Sequence, residues 1–510
     1  MGEKPNLRLV LAGLLLAILM AAMDNTIVAT ALGSILADLG GVESYVWITS
    51  AYAVAVLAGM PIFGKLSDMY GRKRFFIFGL TIFLLGSALC GIAQSVPQLA
   101  IYRAIQGIGG GALLPIAFTI VFDIFPPEKR GKMTGILGAV FGASSVLGPL
   151  LGAFITDSIS WHWVFYVNLP IGIVSLFLIL RFYKETKQHA KLKIDWLGAV
   201  TLIIAVVSLM FGLELGGKEF AWNSWQSFLL FGIFVVFAIV FLWAETKTSE
   251  PIISFWMFKN RLFASSQVLA FLYGATFVGL TIFIPIFVQA VYGGSATNAG
   301  IILMPMLLGS VAGSAFAGIT QTKISYRKIM SISVIFYSIG MALMATISPD
   351  TSRVLLTFYM VMVGLGVGFS FSLLPSASMH KMDYRHRGSA NSTNSFFRSL
   401  GLALGITIFG SLQTKLLTSE IQDNLGNSGQ SASNTLDNLQ TVFQPEQRAS
   451  IPPNILEVIV NAMSNSISAT FLWSLIPIAI AIIAVYFMGN EKLEVSKKTE
   501  DVPVVPIEEA

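Results

Sequence analysis

The chain has 510 residues, 55% of them hydrophobic and only 12% charged, with a mean hydropathy of +0.75. A soluble domain carries about twice that charged fraction, so a water-soluble globular domain is excluded and a polytopic membrane protein is expected. The net charge of +5 points to no nucleic-acid partner, because the basic residues lie in short loops between apolar runs. One cysteine, Cys90, excludes an internal disulfide. The four histidines (His162, His189, His380, His386) lie at span ends or in loops, without metal-ligand spacing.

Apolar runs long enough to cross a bilayer stand, in chain order, at about 9–32, 46–64, 75–94, 98–121, 133–156, 163–182, 195–215 and 226–244. They continue at about 263–291, 298–320, 329–347, 353–375, 390–413 and 465–487. The first run passes into Asp24 without a small-residue cleavage site and reads as a retained helix. Fourteen spans put both termini on one side. Of the 32 Lys and Arg, only Lys218, Arg353, Lys415 and Arg448 fall in segments this topology places outside, and Arg103 and Arg398 lie within spans. The positive-inside bias therefore predicts cytoplasmic termini.

An internal repeat sets the domain plan. Gly107-Ile-Gly-Gly-Gly leads into Leu113-Leu114-Pro115, with Arg130-Gly131 in the next inner loop. Gly364-Leu-Gly-Val-Gly leads into Leu373-Leu374-Pro375, with Arg387-Gly388 following. The expectation is an all-α membrane protein with a six-helix bundle in 1–182 and a second in 263–490. Two extra helices and an interfacial linker occupy 183–262, with an interfacial helix near 251–258. A long outer loop spans 414–464, with possible amphipathic pieces near 434–448. The charged tail, 491–510, is expected to be mobile. Repeated halves with a site between them near the midplane are the plan of a secondary transporter.

Three stretches carry chemistry. Within 133–156, Gly138 and Gly142, then Gly148 and Gly152, form pairs four residues apart, and Pro149 removes a backbone donor. Such spacing makes either a small-residue packing seam or a hinge. In the loop Gly64-Lys-Leu-Ser-Asp68-Met-Tyr-Gly71-Arg72-Lys73-Arg74, turn glycines surround an acid placed to latch one helix end to another. Asp24 is the one carboxylate well inside a span. Burial of an acid is costly and favours its neutral form, which suits a proton site, although packing alone is the plainer alternative. Arg103, the second intramembrane ion, either pairs with backbone carbonyls or a carboxylate, or snorkels to the outer surface. Asp123 and Glu214 read as solvated span ends. Arg398 faces a cytoplasmic cavity or anchors at the inner surface.

Gly64–Arg74 resembles the signature loop of the major facilitator superfamily, and Ile101-Tyr-Arg103-Ala-Ile-Gln106-Gly107-Ile-Gly109 resembles the arginine motif of its fourth helix. Gly142 with Gly148-Pro149-Leu-Leu-Gly152 resembles the fifth-helix motif of its antiporters. Met23-Asp24-Asn-Thr26-Ile27-Val28 and Trp161-His-Trp163-Val-Phe-Tyr-Val-Asn168-Leu-Pro170-Ile-Gly172 are similar to signatures of the fourteen-helix EmrB/QacA drug:proton antiporters, in particular multidrug exporters of the Bacillus type. Two departures are His162, where an arginine is common, and Gly318–Lys328, which keeps little of the first-half loop and implies an asymmetric latch.

The resemblance implies coupling roles for Asp24 and Arg103. It implies a conformational latch and hinge at Gly64, Asp68, Gly71, Arg72, Gly142, Gly148, Pro149 and Gly152. Residues on helices expected to border a cavity are Asn25, Tyr52, Gln106, Tyr273, Phe277, Gln289, Met304, Phe371 and Arg398. The expected function is proton-coupled antiport, without a cofactor, that exports lipophilic and often cationic drugs or dyes from a monomer in the bacterial cell membrane. Alternatives are a dedicated exporter of one antibiotic or metabolite, or a proton-driven lipid flippase. No nucleotide-binding loop and no catalytic constellation stands in the chain.

Overall fold

The computed structural model describes residues 6–40, 46–185, 193–217, 219–294, 296–426, 448 and 451–493; at 25, 46, 145, 146, 296, 297, 299 and 424–426 only the backbone is described. The first half comprises α1 (Leu7–Leu39), α2 (Val46–Tyr70), α3 (Arg72–Cys90), α4 (Val96–Ile124), α5 (Pro127–Ser158), α6 (Trp163–Tyr166) and α7 (Asn168–Phe182). An accessory hairpin, α8 (Trp196–Leu215) and α9 (Trp225–Lys247), follows. The second half comprises α10 (Arg261–Ala290), α11 (Ala296–Thr320), α12 (Tyr326–Met344), α13 (Arg353–Ser378), α14 (Arg387–Gly426), α15 (Pro453–Trp473) and α16 (Leu475–Phe487). Among the described residues, thirteen helices are long and apolar enough to span a bilayer, or fourteen when the two arms of α5 count as one span.

Helix starts follow the local code. Ser95, Asp195, Ser224, Asn260, Ser325 and Ser352 each accept a first-turn backbone N–H with the side chain. The sixth span is broken into α6 and α7 around Val167, and the last into α15 and α16 around Ser474.

The repeat reappears as packing. In the first half α2 and α3 pack on α4, and α1 on α5; in the second α11 and α12 pack on α13, and α10 on α14. Two seams join the halves, α5 against α11 and α13, and α2 against α14. The accessory hairpin docks through α8 on α2 and α14, where Val54, Leu57 and Met60 meet Leu202, Val206 and Phe396. Its partner α9 keeps most of its apolar surface exposed, as a lipid-facing helix does.

Three expectations are corrected. The outer loop is shorter than 414–464, because α14 continues to Gly426 and α15 starts at Pro453. Leu417 and Ile421 are buried in one core with Ile459 and Met463, and Asn465 donates to Glu420 at 3.3 Å. Buried apolar pairs at four-residue spacing keep both extensions helical outside the apolar run. The amphipathic pieces proposed near 434–448 lie outside the described residues except for Arg448. The interfacial helix near 251–258 is a short 3₁₀ turn, Phe255–Lys259, that presents Trp256 outward and buries Met257. The start of the tail is docked: Glu491 O accepts Tyr326 N (2.8 Å), its carboxylate lies 3.1 Å from His380 Nε2, and Leu493 N donates to Gln321 O (2.9 Å). Leu493 is buried in the core of the second half, which holds this piece of an otherwise charged tail.

Candidate functional site

Asp24 lies midway along α1 and is sealed from solvent, as is Arg103 on α4. Arg103 Nη1 is ion-paired with Asp24 Oδ2 and also donates to Gln106 Oε1 at 2.7 Å. Asp24 Oδ1 accepts from Gln106 Nε2 (2.7 Å) and Asn168 Nδ2 (2.9 Å). Ser87 Oγ ties the set to α3, accepting from Gln106 Nε2 (3.2 Å) and Asn168 Nδ2 (3.0 Å) and donating to Phe165 O (2.8 Å). Arg103 Nε donates to Ile48 O (3.2 Å), and its guanidinium sits 4.0 Å over the Tyr52 ring. Every partner belongs to the first half. Arg103 does not snorkel outward, because a carboxylate meets it inside.

An ion pair taken wholly out of water survives only with such added hydrogen bonds, and removing one partner costs about 3–5 kcal/mol. The set is not saturated: Arg103 Nη2 and Asn168 Oδ1 are buried without a partner. Through these bonds Asp24 ties α1 to α4 and α7.

The second site joins the halves at one end of the bundle. Asp68, at the end of α2, accepts Gly388 N at Oδ1 (2.8 Å) and Ser389 N at Oδ2 (2.7 Å), capping the N-terminus of α14 from the opposite half. Arg72 Nη2 donates to Asp68 Oδ1 (3.0 Å) and to Tyr384 O (2.6 Å), and the guanidinium stacks on the Tyr384 ring at 3.9 Å. Asp123 pairs with both Arg72 and Arg387, with Arg387 Nη1 at 2.7 Å from its Oδ1. The expectation that Asp123 is a solvated span end is corrected: its side chain is buried between two arginines from opposite halves. Gly64 packs against Ser392 and Gly388 O, leaving no room for a Cβ, and Gly71 turns the chain at φ +112° into α3. Glu185 accepts the N–H groups of Arg72 and Lys73, so the start of α3 is capped by the first half itself.

The pseudo-equivalent corner is neutral. Arg130-Gly131 opens α5 as Arg387-Gly388 opens α14, and Gly131 packs on Gly318 at the end of α11. Gln321 is the polar group there, donating to Thr134 Oγ1 at 3.2 Å. Asn391 Nδ2 to Pro115 O (2.7 Å), Ser314 Oγ to Gly135 O (3.0 Å) and Ser376 Oγ to Thr134 Oγ1 (3.2 Å) complete the closure.

The two glycine pairs of α5 face different partners. Gly138 and Gly142 meet Ser314, Ser310 and Phe371 of the second half, whereas Gly148 and Gly152 meet Thr26, Ile27 and Thr30 of α1. Six residues from Gly142 to Gly148 turn a helix by about 240°, which separates the faces. Between them the helix bends by 41°, next to Pro149. One helix therefore touches the seam between halves and the helix that carries Asp24.

The cavity candidates disperse. Tyr52 and Gln106 belong to the Asp24 network. Tyr273 is buried inside the second half, hydrogen-bonded to Ser333 (2.8 Å) and stacked on Tyr337 at 4.9 Å. Gln289, near the end of α10, turns back to Pro285 O at 3.3 Å. Met304 is 39% exposed on the same α11 stripe as Ile301, Leu308, Phe316 and Ile319, away from α5 and α13. The Asn25 side chain lies outside the described residues. Only Phe277, Phe371 and Arg398 meet: the Phe371 ring lies 5.9 Å from Phe277 and 5.2 Å from Phe141 of α5, and the Arg398 guanidinium is 5.1 Å over it. Arg398 is no surface anchor, since it is 9% exposed and donates to Ser370 O at 3.0 Å.

Sequence reasoning gave no role to Ser87, Asn168 or Asp123. A lone polar residue in an apolar run is the signal that marked the first two.

Paired six-helix bundles, a latch at one end and a buried ion pair in one half are the architecture of a polytopic membrane transporter. A family model for the Major Facilitator Superfamily matches residues 14–406, and the chain belongs to that superfamily. It is 61% identical to Multidrug resistance protein 3 of Bacillus subtilis over 97% of both chains. It is 34% identical to Multidrug transporter protein MdtP of the same organism, over 98% of this chain and 96% of that one. Among solved structures it is similar to the proton:xylose symporter XylE, with a TM-score of 0.62 and 13% identity over 96% of this chain and 97% of that one, a likeness of fold.

Proposed function

We propose that this protein exports lipophilic drugs or dyes from the cytoplasm of a bacterial cell in exchange for protons, by alternating access. The relatives named for multidrug resistance and transport support the substrate class. The positive-inside bias supports cytoplasmic termini and a cytoplasmic Asp68 latch, and on that orientation the conformation described is the one closed to the cytoplasm. Export then begins when the latch opens and cargo enters between α5, α10, α13 and α14 from below.

The observation that carries the coupling is Asp24, sealed in the first half and held by Arg103, Gln106 and Asn168. Ionised, it binds α1 to α4 and α7; protonated, it releases at least one of them. Because Gly148 and Gly152 pack on α1 while Gly138 and Gly142 pack on the second half, α5 transmits that loosening to the seam. Arg103 retains the negative state when cargo leaves, and the hinge at Pro149 absorbs the movement. The cycle needs protons, cargo and a bilayer, and neither a cofactor nor a second copy of the chain.

Asp24→Asn tests this reading. In proteoliposomes with an imposed pH gradient, rhodamine 123 transport should fall to the level of empty liposomes, while the variant stays monodisperse and still binds the dye. Undiminished pH-driven transport would overturn the proton assignment.

A further inference from the structure

Arg398 is a buried cation that no described acid neutralises. Its side chain makes one hydrogen bond, from Nη2 to Ser370 O, and no ion pair among the described residues. The nearest latch carboxylate, Asp68, is bound at Gly388 and Ser389, ten residues away along α14, or about 15 Å. Helices α10 and α13, which pack beside it, contain no Asp or Glu. A guanidinium cannot shed its charge, and an intramembrane cation without a counter-charge marks a functional position. Arg398 also has N–H groups left over, and none is among the buried polar atoms that lack partners, so they border open space.

The surroundings fit an aromatic acid. Phe371, under the guanidinium, is flanked edge-on by Phe277 of the second half and Phe141 of the first. The rings span the seam, and Gly142 lets α5 pack closely against Ser310 and the Phe371 ring. When the halves part at this seam, an apolar ring can replace Phe141 against Phe371 while a carboxylate on it takes the free N–H groups of Arg398, where low dielectric strengthens the contact.

We propose that Arg398, with Phe141, Phe277 and Phe371, forms a subsite for the acidic group of aromatic cargo, so that the transporter selects carboxylated drugs or dyes over their neutralised counterparts. This rests on the exporter reading and names part of its substrate class. The bound anion supplies the missing counter-charge, and release follows when the cavity hydrates and water solvates the guanidinium in its place.

Rhodamine 110 has a free carboxylate, and rhodamine 123 is its methyl ester. Binding of each to the purified full-length protein in nanodiscs is measured by fluorescence polarisation. The wild type should hold the acid at least ten times more tightly than the ester. Arg398→Gln should remove that preference, leaving the ester's affinity within twofold, and Arg398→Lys should restore part of it, since a lysine keeps charge without the planar fork. Equal affinity of the wild type for acid and ester overturns the inference, whatever the variants do. So does a loss in Arg398→Gln that is the same for both dyes. Transport of rhodamine 123 by wild-type vesicles under a pH gradient is scored separately. Its absence sinks the exporter reading, whereas transport without an acid preference sinks only the subsite.

Discussion

Away from the latch, where Arg72 is buried, each half of this transporter buries one arginine inside a span among the described residues, Arg103 and Arg398, and the two are built differently. Arg103 meets a carboxylate, an amide, a carbonyl and an aromatic face, all within the first half. Arg398 meets a carbonyl and a phenyl ring, and the acid that would complete it is missing from the described residues. The same residue type in the same kind of apolar span thus stands in two settings: one charge is neutralised inside the protein, which the proposed coupling uses to hold a conformational state, and one has no acid beside it among the described residues, which the proposed subsite offers to cargo. The latch repeats the contrast at the ends of α2 and α11. Asp68 caps α14 across the seam with a carboxyl group, whereas Gln321 meets α5 with an amide.

The largest effect that would break this comparison is on stability. Arg103→Ala leaves Asp24 buried without its cation and should cost about 3–5 kcal/mol, seen as a steep fall in thermal midpoint by tryptophan fluorescence. Arg398→Gln removes an unneutralised charge and should leave the midpoint unchanged or raise it. Equal losses from both would erase the distinction. The double variant Asp24→Asn with Arg103→Gln sharpens it, because removing both charges together should recover most of the lost stability while transport stays absent.

At the latch, Asp68→Asn exchanges charge-assisted bonds, worth about 1.5–3 kcal/mol each, for weaker ones. In a Cys90→Ser background carrying Ser392→Cys, buried against Gly64, maleimide labelling should rise on the order of tenfold as that end opens. The smallest effect belongs to Gln321→Ala, which removes neutral hydrogen bonds worth about 1 kcal/mol. Labelling at the same cysteine should then change by about twofold or less. A larger response to Gln321→Ala than to Asp68→Asn would show that the neutral corner carries the closure.

What could be read in advance follows from cost. Asp24, Arg103 and Asp68 stood out because an ion in or beside an apolar span is expensive and needs a reason. Ser87 and Asn168 carry no charge and left only a weak mark, yet both hold the network in place. Asp123 was misread because its helix position gives no hint that arginines from two halves converge on it. Tyr273 and Met304 lie apart from Phe371 and Arg398 in this conformation, and their residue types gave no warning of it: an aromatic or a methionine suits a cavity, a helix interior and lipid equally well.

Hydropathy, charge bias and repeated glycine motifs determined by themselves an all-helical chain with fourteen spans in two related halves, because a bilayer forces each backbone segment to satisfy its own hydrogen bonds. Tertiary structure alone decided which glycine pair of α5 faces which helix, and that Asp24 and Arg103 share one interior. It also decided that Arg398 stands over the Phe371 ring with no acid beside it among the described residues. Those outcomes depend on distances between residues tens to hundreds of positions apart, set by helix rotation and packing, which the spacing within any one span does not encode.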